Sequence, residues 1–280
     1  MRKYIINQNS QIIHQVIHNF IKNKPSKLFL ILCGFFIANA LLAEVIGVKI
    51  FSFEKTFGFT PLQFNFFGEQ LSLNLTAGVL LWPVVFIMTD IINEYYGRKG
   101  VRFLSYLTSG LIAYAFITFY GAMNLAPADF FITSKTGSGV PNMDSAFKSI
   151  LGQGGWIIVG SLVAFLLGQV VDAYAFYLIK KSTGEKKIWL RSTGSTIISQ
   201  LIDSYVVIFI AFYIGTRANA AAGDFVWSFK LVMAVATLNY LYKCVVAIVL
   251  TPVIYLVHTI IEKYLGSDAA IMKAEAIKQS

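Results

Sequence analysis

Ionisable side chains are scarce in this sequence: Asp, Glu, Lys and Arg make up 13% of its 280 residues, against 56% hydrophobic residues. A water-soluble domain carries about a quarter charged residues, so an ordinary soluble enzyme or nucleic-acid binder is excluded, and the bilayer is the expected solvent. Cysteine is nearly absent as well. Cys33 and Cys244 both fall inside apolar stretches, without the paired spacing of a zinc, haem or thioredoxin-type site. His14 and His18 share a helical face, a spacing that can bind metal, but no third ligand is near and a solvated polar face explains them. Neither a metal nor a cofactor is therefore expected. No Walker sequence occurs, so this chain does not hydrolyse ATP through a P-loop of its own. The first 27 residues hold no continuous apolar run ahead of a small-residue cleavage site, and no cleaved signal peptide is expected.

What the sequence does hold is apolar runs of membrane-crossing length. A hydrocarbon core of about 30 Å needs about 20 apolar helical residues, and six stretches qualify, near residues 28–48, 76–96, 101–123, 155–180, 193–215 and 229–258. The fold class predicted is an all-α polytopic membrane protein with six transmembrane helices. The net charge of +9 is distributed accordingly. Arg2, Lys3, Lys22, Lys24 and Lys27, then Arg98, Lys99 and Arg102, then Lys180, Lys181, Lys186, Lys187 and Arg191, then Lys263, Lys273 and Lys278 fall on one side, sixteen of the 23 basic residues. Lys55, Lys135, Lys148, Arg217 and Lys230 fall on the other. Cytoplasmic loops collect Lys and Arg, so a multi-pass chain in the inner membrane with both termini cytoplasmic is expected.

Three parts are expected: a cytoplasmic amphipathic segment at 1–27, a transmembrane domain at 28–258 and a cytoplasmic tail at 259–280. In the first, Ile12, Ile13, Val16, Ile17, Phe20 and Ile21 recur at helical spacing, as in an interfacial helix. Leu62, Phe64 and Phe66, then Leu71, Leu73 and Leu75, alternate with polar residues around Gly68-Glu69-Gln70, which predicts a short external β-hairpin between the first two spans. The stretch 124–154 reads as an external loop with a short helix or re-entrant turn at 144–151, and Tyr96-Gly97-Arg98-Lys99-Gly100 as a tight cytoplasmic turn.

The chemistry should lie where charge enters an apolar span, because such a group costs about 2.5 to 3.5 kcal/mol at mid-membrane and so faces a bundle interior or aqueous cavity. Asp172, Asp203 and Lys243 are such residues. Gln169 shares a helical face with Asp172, and Gln200 shares one with Asp203. Counting depth from the helix ends brings Asn39, Asn239 and Lys243 to a similar level. The expected substrate-binding set is therefore Asn39, Gln169, Asp172, Gln200, Asp203, Asn239 and Lys243, four helices aiming polar groups at one layer. An ion pair between Lys243 and one aspartate that merely fixes helix register is the plainer alternative. Asp90, Asn93 and Glu94 form a second cluster at the cytoplasmic end of span two, a water-facing cap bound to Arg98 or Arg102, or a gate. Glu44 and Arg191 complete the possible gating set. The four tryptophans lie near the expected interfaces, as an aromatic belt requires.

Several of these residues occur in runs that resemble a known family. Trp189-Leu190-Arg191-Ser192, followed by Ser195-Thr196, Ser199-Gln200 and Asp203-Ser204, is similar to the signature of the queuosine precursor transporters, also called the vitamin uptake transporter family. Thr89-Asp90-Ile91-Ile92-Asn93-Glu94-Tyr95-Tyr96-Gly97, Gly168-Gln169 with Asp172, and Asn39 with Lys49 resemble further motifs, covering about residues 36–255. The resemblance implies uptake of a 7-deazaguanine, preQ0 or preQ1, by a fold like the substrate-binding subunits of energy-coupling-factor transporters. It implies no enzymatic activity and no nucleic-acid partner. One carboxylate, Asp172 or Asp203, would accept the N1–H and N2–H donors of a guanine-like edge while an amide or Lys243 serves the oxygen. Energy would come from an ion gradient or a separate ATPase module. Two other classes stand beside this reading: another small planar or vitamin-like solute, and an intramembrane aspartyl hydrolase built on Asp172 and Asp203. The last lacks the expected Gly-x-Gly-Asp pattern, since Val171 and Ile202 precede the aspartates.

Overall fold

The computed structural model describes residues 23–152, 155–184, 187–220 and 225–278; the amphipathic segment expected at 12–21 lies outside them. Helix α1 (Lys24–Ile46) begins where its N-terminal amides can be met: Asn23 stays extended and its side chain accepts the Ser26 amide at 3.2 Å, with Pro25 in the first turn. Phe36, Ala40 and Ala43 are buried against the bundle, while Leu30, Ile31, Phe35 and Leu42 stand exposed on the face that lipid covers.

Beyond α1 the chain makes two antiparallel pairs. Strand β1 (Ile50–Ser52) leads into helix α2 (Phe53–Phe57); β2 (Phe64–Phe66) pairs with β3 (Glu69–Leu71), and β4 (Asn74–Thr76) returns to β1. The hairpin expected from the alternation is there, turning at Phe67 and Gly68, whose φ of 55° and 85° are those of a tight type I′ connection. The β1–β4 pair was not expected, because Ile50-Phe51-Ser52 is too short to show an alternation of its own. Glu54 joins the pieces: its buried carboxylate accepts the Leu73 amide and the Ser52 hydroxyl, each at 2.8 Å. The Leu73 amide holds the Glu54 carboxyl below the usual carboxylate range. A depressed value means that stability is present above the unfolded-state value of about 4.3 and is lost as pH falls through the folded one. Acidification should therefore open the β1–β4 element first, and Glu54→Gln should flatten that dependence; hydrogen exchange at the Leu73 amide against pH measures both.

Helix α3 (Trp82–Met123) is the longest element, at 42 residues, and Gly97 interrupts it with φ 68° and ψ −176°, a conformation open essentially to glycine alone. The interruption reverses the chain. Thr89 and Ser105 would stand about 24 Å apart on an unbroken helix, yet both hydroxyls reach the same Gln169 side-chain oxygen, at 3.0 and 3.5 Å. The two stretches expected as separate spans are thus the arms 82–96 and 98–123 of a helical hairpin. Five helical stretches among the described residues are long and apolar enough to cross a membrane, this broken one being counted once.

After the short α4 (Asp129–Ile132) and α5 (Met143–Leu151), α6 (Gly155–Thr183) and α7 (Ile188–Ile208) form the most extensive helix pair. Gly160, Ala164, Gly168 and Asp172 recur every four residues on α6, and a Cβ at Gly160 would come within 3.1 Å of the Val207 carbonyl and the Ala211 amide. Small residues let two backbones approach where lipid offers no hydrophobic drive, and the stripe delivers Asp172 onto α7. Helix α7 runs on through a π-helical stretch (Phe209–Ile214) into α8 (Gly215–Asn219). The last expected span, at 229–258, ends early. Helix α9 (Phe229–Val249) stops at Leu250 and α10 (Thr251–Leu265) starts afresh with Pro252 in its first turn, where proline has no amide to continue the ladder. Beyond it, α11 (Asp268–Lys278) packs back on the bundle and buries Ala269 and Met272 in the cluster that also holds Tyr95 and Leu265.

Candidate functional site

Three helices line one narrow cavity of about 40 Å³, whose wall is mostly apolar with a few polar side chains. The first arm of α3 contributes Trp82, Phe86 and Asp90, each four residues from the next. Thr193, Thr196 and Gln200 come from α7 at spacings of three and four, and Lys243, Val246 and Ala247 from α9 at the same helical spacings, with Leu250 just past its end. Tyr242 adds an aromatic wall. One stripe from each helix thus faces the same space.

The polar groups of this cavity are incompletely partnered. Gln200 is buried, and neither its side-chain oxygen nor its nitrogen has a hydrogen-bond partner among the described residues. Asp90 accepts the Ser192 hydroxyl at one carboxyl oxygen, and the other, also buried, has none. Buried polar groups are normally paired, since each one left bare costs about 1 to 3 kcal/mol. Lys243 is held differently: its ammonium meets Asp203 at 2.5 Å, with the two side chains 15% and 17% exposed, so the pair sits at the edge of the protein interior. Asp203 itself is not on the cavity wall; its Cβ lies 3.5 Å from where a side chain on Gly168 would begin.

The remaining residues expected in one layer are dispersed. Asp172 is fully buried behind the cavity and accepts the Ser199 hydroxyl at 3.1 Å. Gln169 is committed to Thr89 and Ser105 between the arms of α3. Asn39 donates back to the Phe35 carbonyl at 2.8 Å, and Asn239 is half-buried on α9, away from the wall. Asp203 thus pairs with Lys243, and Asp172 with Ser199.

Below the cavity, Glu94 receives Arg191 at 2.7 Å and Lys180 at 3.1 Å, all three side chains being 4% exposed or less. Neither Arg98 nor Arg102 supplies this partner. Arg98 instead lies over the Tyr177 ring, 4.6 Å from its centroid. Lys180 and Arg191, placed by charge counting among loop residues, are interior groups, and Arg191 also donates to the Gly184 carbonyl at 2.9 Å. Asn93 bridges to the Ala173 carbonyl at 3.2 Å, and Glu44 accepts the Ser161 hydroxyl. The arrangement ties the first arm of α3 to both α6 and α7. Residues the sequence reading passed over are Trp82, assigned to an interfacial belt, and Thr193, Phe86 and Tyr242; their spacing relative to Asp90, Gln200 and Lys243 was the available signal.

The protein is thus a multi-pass helical membrane protein with a narrow, mainly apolar cavity that Asp90, Gln200 and Lys243 help to line. Residues 76–257 match the profile of the family described as "Putative vitamin uptake transporter", and the chain belongs to that family. It is similar to the probable queuosine precursor transporter of Bacillus subtilis (strain 168), with 27% identity over 175 residues, 62% of this chain and 72% of that protein. It is similar also to the queuosine precursor transporter of Escherichia coli (strain K12), with 25% identity over 182 residues, 64% of this chain and 70% of the relative. No solved structure matches the chain.

Proposed function

We propose that this transporter imports a queuosine precursor, 7-cyano-7-deazaguanine or its aminomethyl counterpart, across the inner membrane, and that the cavity between α3, α7 and α9 binds it. The observation that carries the reading is Gln200, a buried amide with both polar atoms unpartnered on the wall of an aromatic-sided cavity. A guanine-like edge complements this donor and acceptor pattern. The free oxygen of Asp90 accepts N1–H or N2–H, Gln200 takes the other donor, and Lys243 donates to the carbonyl oxygen. Trp82, Phe86 and Tyr242 supply faces for the flat ring. Asp172 and Asp203 stand behind this wall in supporting positions, and the names of the relatives point to the same ligand class.

With the arms of α3 counted as two spans the chain crosses six times, and both termini lie in the cytoplasm. The charge bias supports that orientation: sixteen basic residues, less the buried Lys180 and Arg191, still leave fourteen against five. The test is uptake of labelled 7-cyano-7-deazaguanine by proteoliposomes holding this chain alone. Saturable entry, competed by unlabelled compound and not by adenine, is expected; entry no faster than in empty liposomes overturns the assignment.

A further inference from the structure

On the long helices, the buried Glu94 and the partly exposed Asp203 have cationic partners and the buried Glu44 accepts the Ser161 hydroxyl, whereas Asp90 and Asp172, each 1% exposed, have no Lys, Arg or His at ion-pairing distance among the described residues. Asp90 accepts the Ser192 hydroxyl and Asp172 the Ser199 hydroxyl, with Ser195 a second serine beside Asp172, and each carboxyl keeps a second, buried oxygen that makes no close hydrogen bond among the described residues. The serines are seven residues apart, two turns along one face of α7, which holds the carboxyls of α3 and α6 within electrostatic reach of each other. Asp90 opens onto the cavity; Asp172 lies behind it.

We infer that Asp90 and Asp172 form a two-carboxyl proton-binding site that couples substrate entry to proton influx. This rests on the transport reading above and adds its energy source. The burial of the two carboxyls supports it. The neighbouring acid Glu94 takes both Arg191 and Lys180 at ion-pairing distance, so Asp90 and Asp172 gain most from a bound proton, which removes the cost of burying their charge. Of the other titratable groups on the helices packed around them, Lys243 pairs with Asp203, Glu44 on α1 accepts the Ser161 hydroxyl of α6, and His258 on α10 is bonded to the Tyr95 hydroxyl at 3.2 Å. A proton reaching the cavity binds at Asp90 or passes on to Asp172; its loss to the cytoplasmic side restores the charged state and resets the site. No bond other than O–H forms or breaks.

The experiment uses the full chain in proteoliposomes with labelled 7-cyano-7-deazaguanine. With the exterior acidic, wild type should concentrate the compound up to about tenfold for each pH unit of gradient, as one-to-one coupling requires. Asp172→Asn should lose this accumulation yet keep exchange of internal for external compound, and Asp172→Glu should restore accumulation at least in part. Accumulation driven equally well without a pH gradient, or by sodium instead, overturns the inference, as does undiminished accumulation by Asp172→Asn. Wild-type protein showing no exchange at all refutes the substrate reading instead. The proton site is then judged on ligand-free protein, where the infrared carbonyl band of a protonated carboxyl should be present at neutral pH and lost in Asp172→Asn; absence of that band from wild type also overturns it.

Discussion

Lys243→Met should abolish uptake and destabilise the protein by about 3 kcal/mol, because it strands the Asp203 carboxylate in a largely dry environment while removing a donor from the cavity wall. The two consequences separate. Asp203→Asn leaves the ammonium in place with a neutral hydrogen-bonding partner, so it should cost less stability than Lys243→Met. The double variant Asp203→Asn with Lys243→Met, which buries no uncompensated charge, should recover most of the stability and none of the uptake. Thermal denaturation in detergent, followed alongside transport, reads both. Recovery of uptake in the double variant would show that the pair only holds helix register, the plainer alternative that the sequence left open.

Glu94→Ala should have the largest structural effect of any single change, about 3 to 5 kcal/mol, since it removes the buried acid that both Arg191 and Lys180 contact. The first arm of α3 would lose its tie to α6 and α7 together. Expression in the membrane should fall sharply, and Glu94→Gln, which keeps a hydrogen-bond acceptor, should be nearly as damaging because it does not keep the charge. A melting temperature for Glu94→Ala within a degree or two of wild type would contradict the geometry. Combining it with Arg191→Met should recover part of the loss by removing one of the two stranded cations.

Much of this architecture was legible in the sequence for a physical reason: lipid imposes length. The apolar runs, the turn at Gly97 and the hairpin around Gly68 each follow from a constraint that acts locally, on twenty residues of helix or on one positive φ. The site was less legible. Depth counting places a residue along its helix axis but not around it, so Asn39, Gln169 and Asn239 were expected at the right level and point elsewhere. Asp90 errs in the opposite direction: its position near a helix end made it read as an inexpensive interfacial acid, whereas the reversal at Gly97 packs it inside and puts it on the cavity wall. Lys180 and Arg191 misled in the same way, being loop residues by sequence position and interior ones by packing. Long-range pairing is the information that a single chain's periodicity does not contain.

On the proposed reading, the unpartnered amide of Gln200 and its neighbours on α3 and α9 receive the solute. Titration of purified protein with 7-cyano-7-deazaguanine, followed by calorimetry, tests it most directly by comparing wild type with Gln200→Leu, which keeps the approximate volume and removes both polar atoms. Saturable binding to wild type and a loss of about tenfold or more in affinity for Gln200→Leu are predicted, as the removal of hydrogen bonds in a dry site requires. Equal affinity in the two proteins would place the solute somewhere other than this cavity.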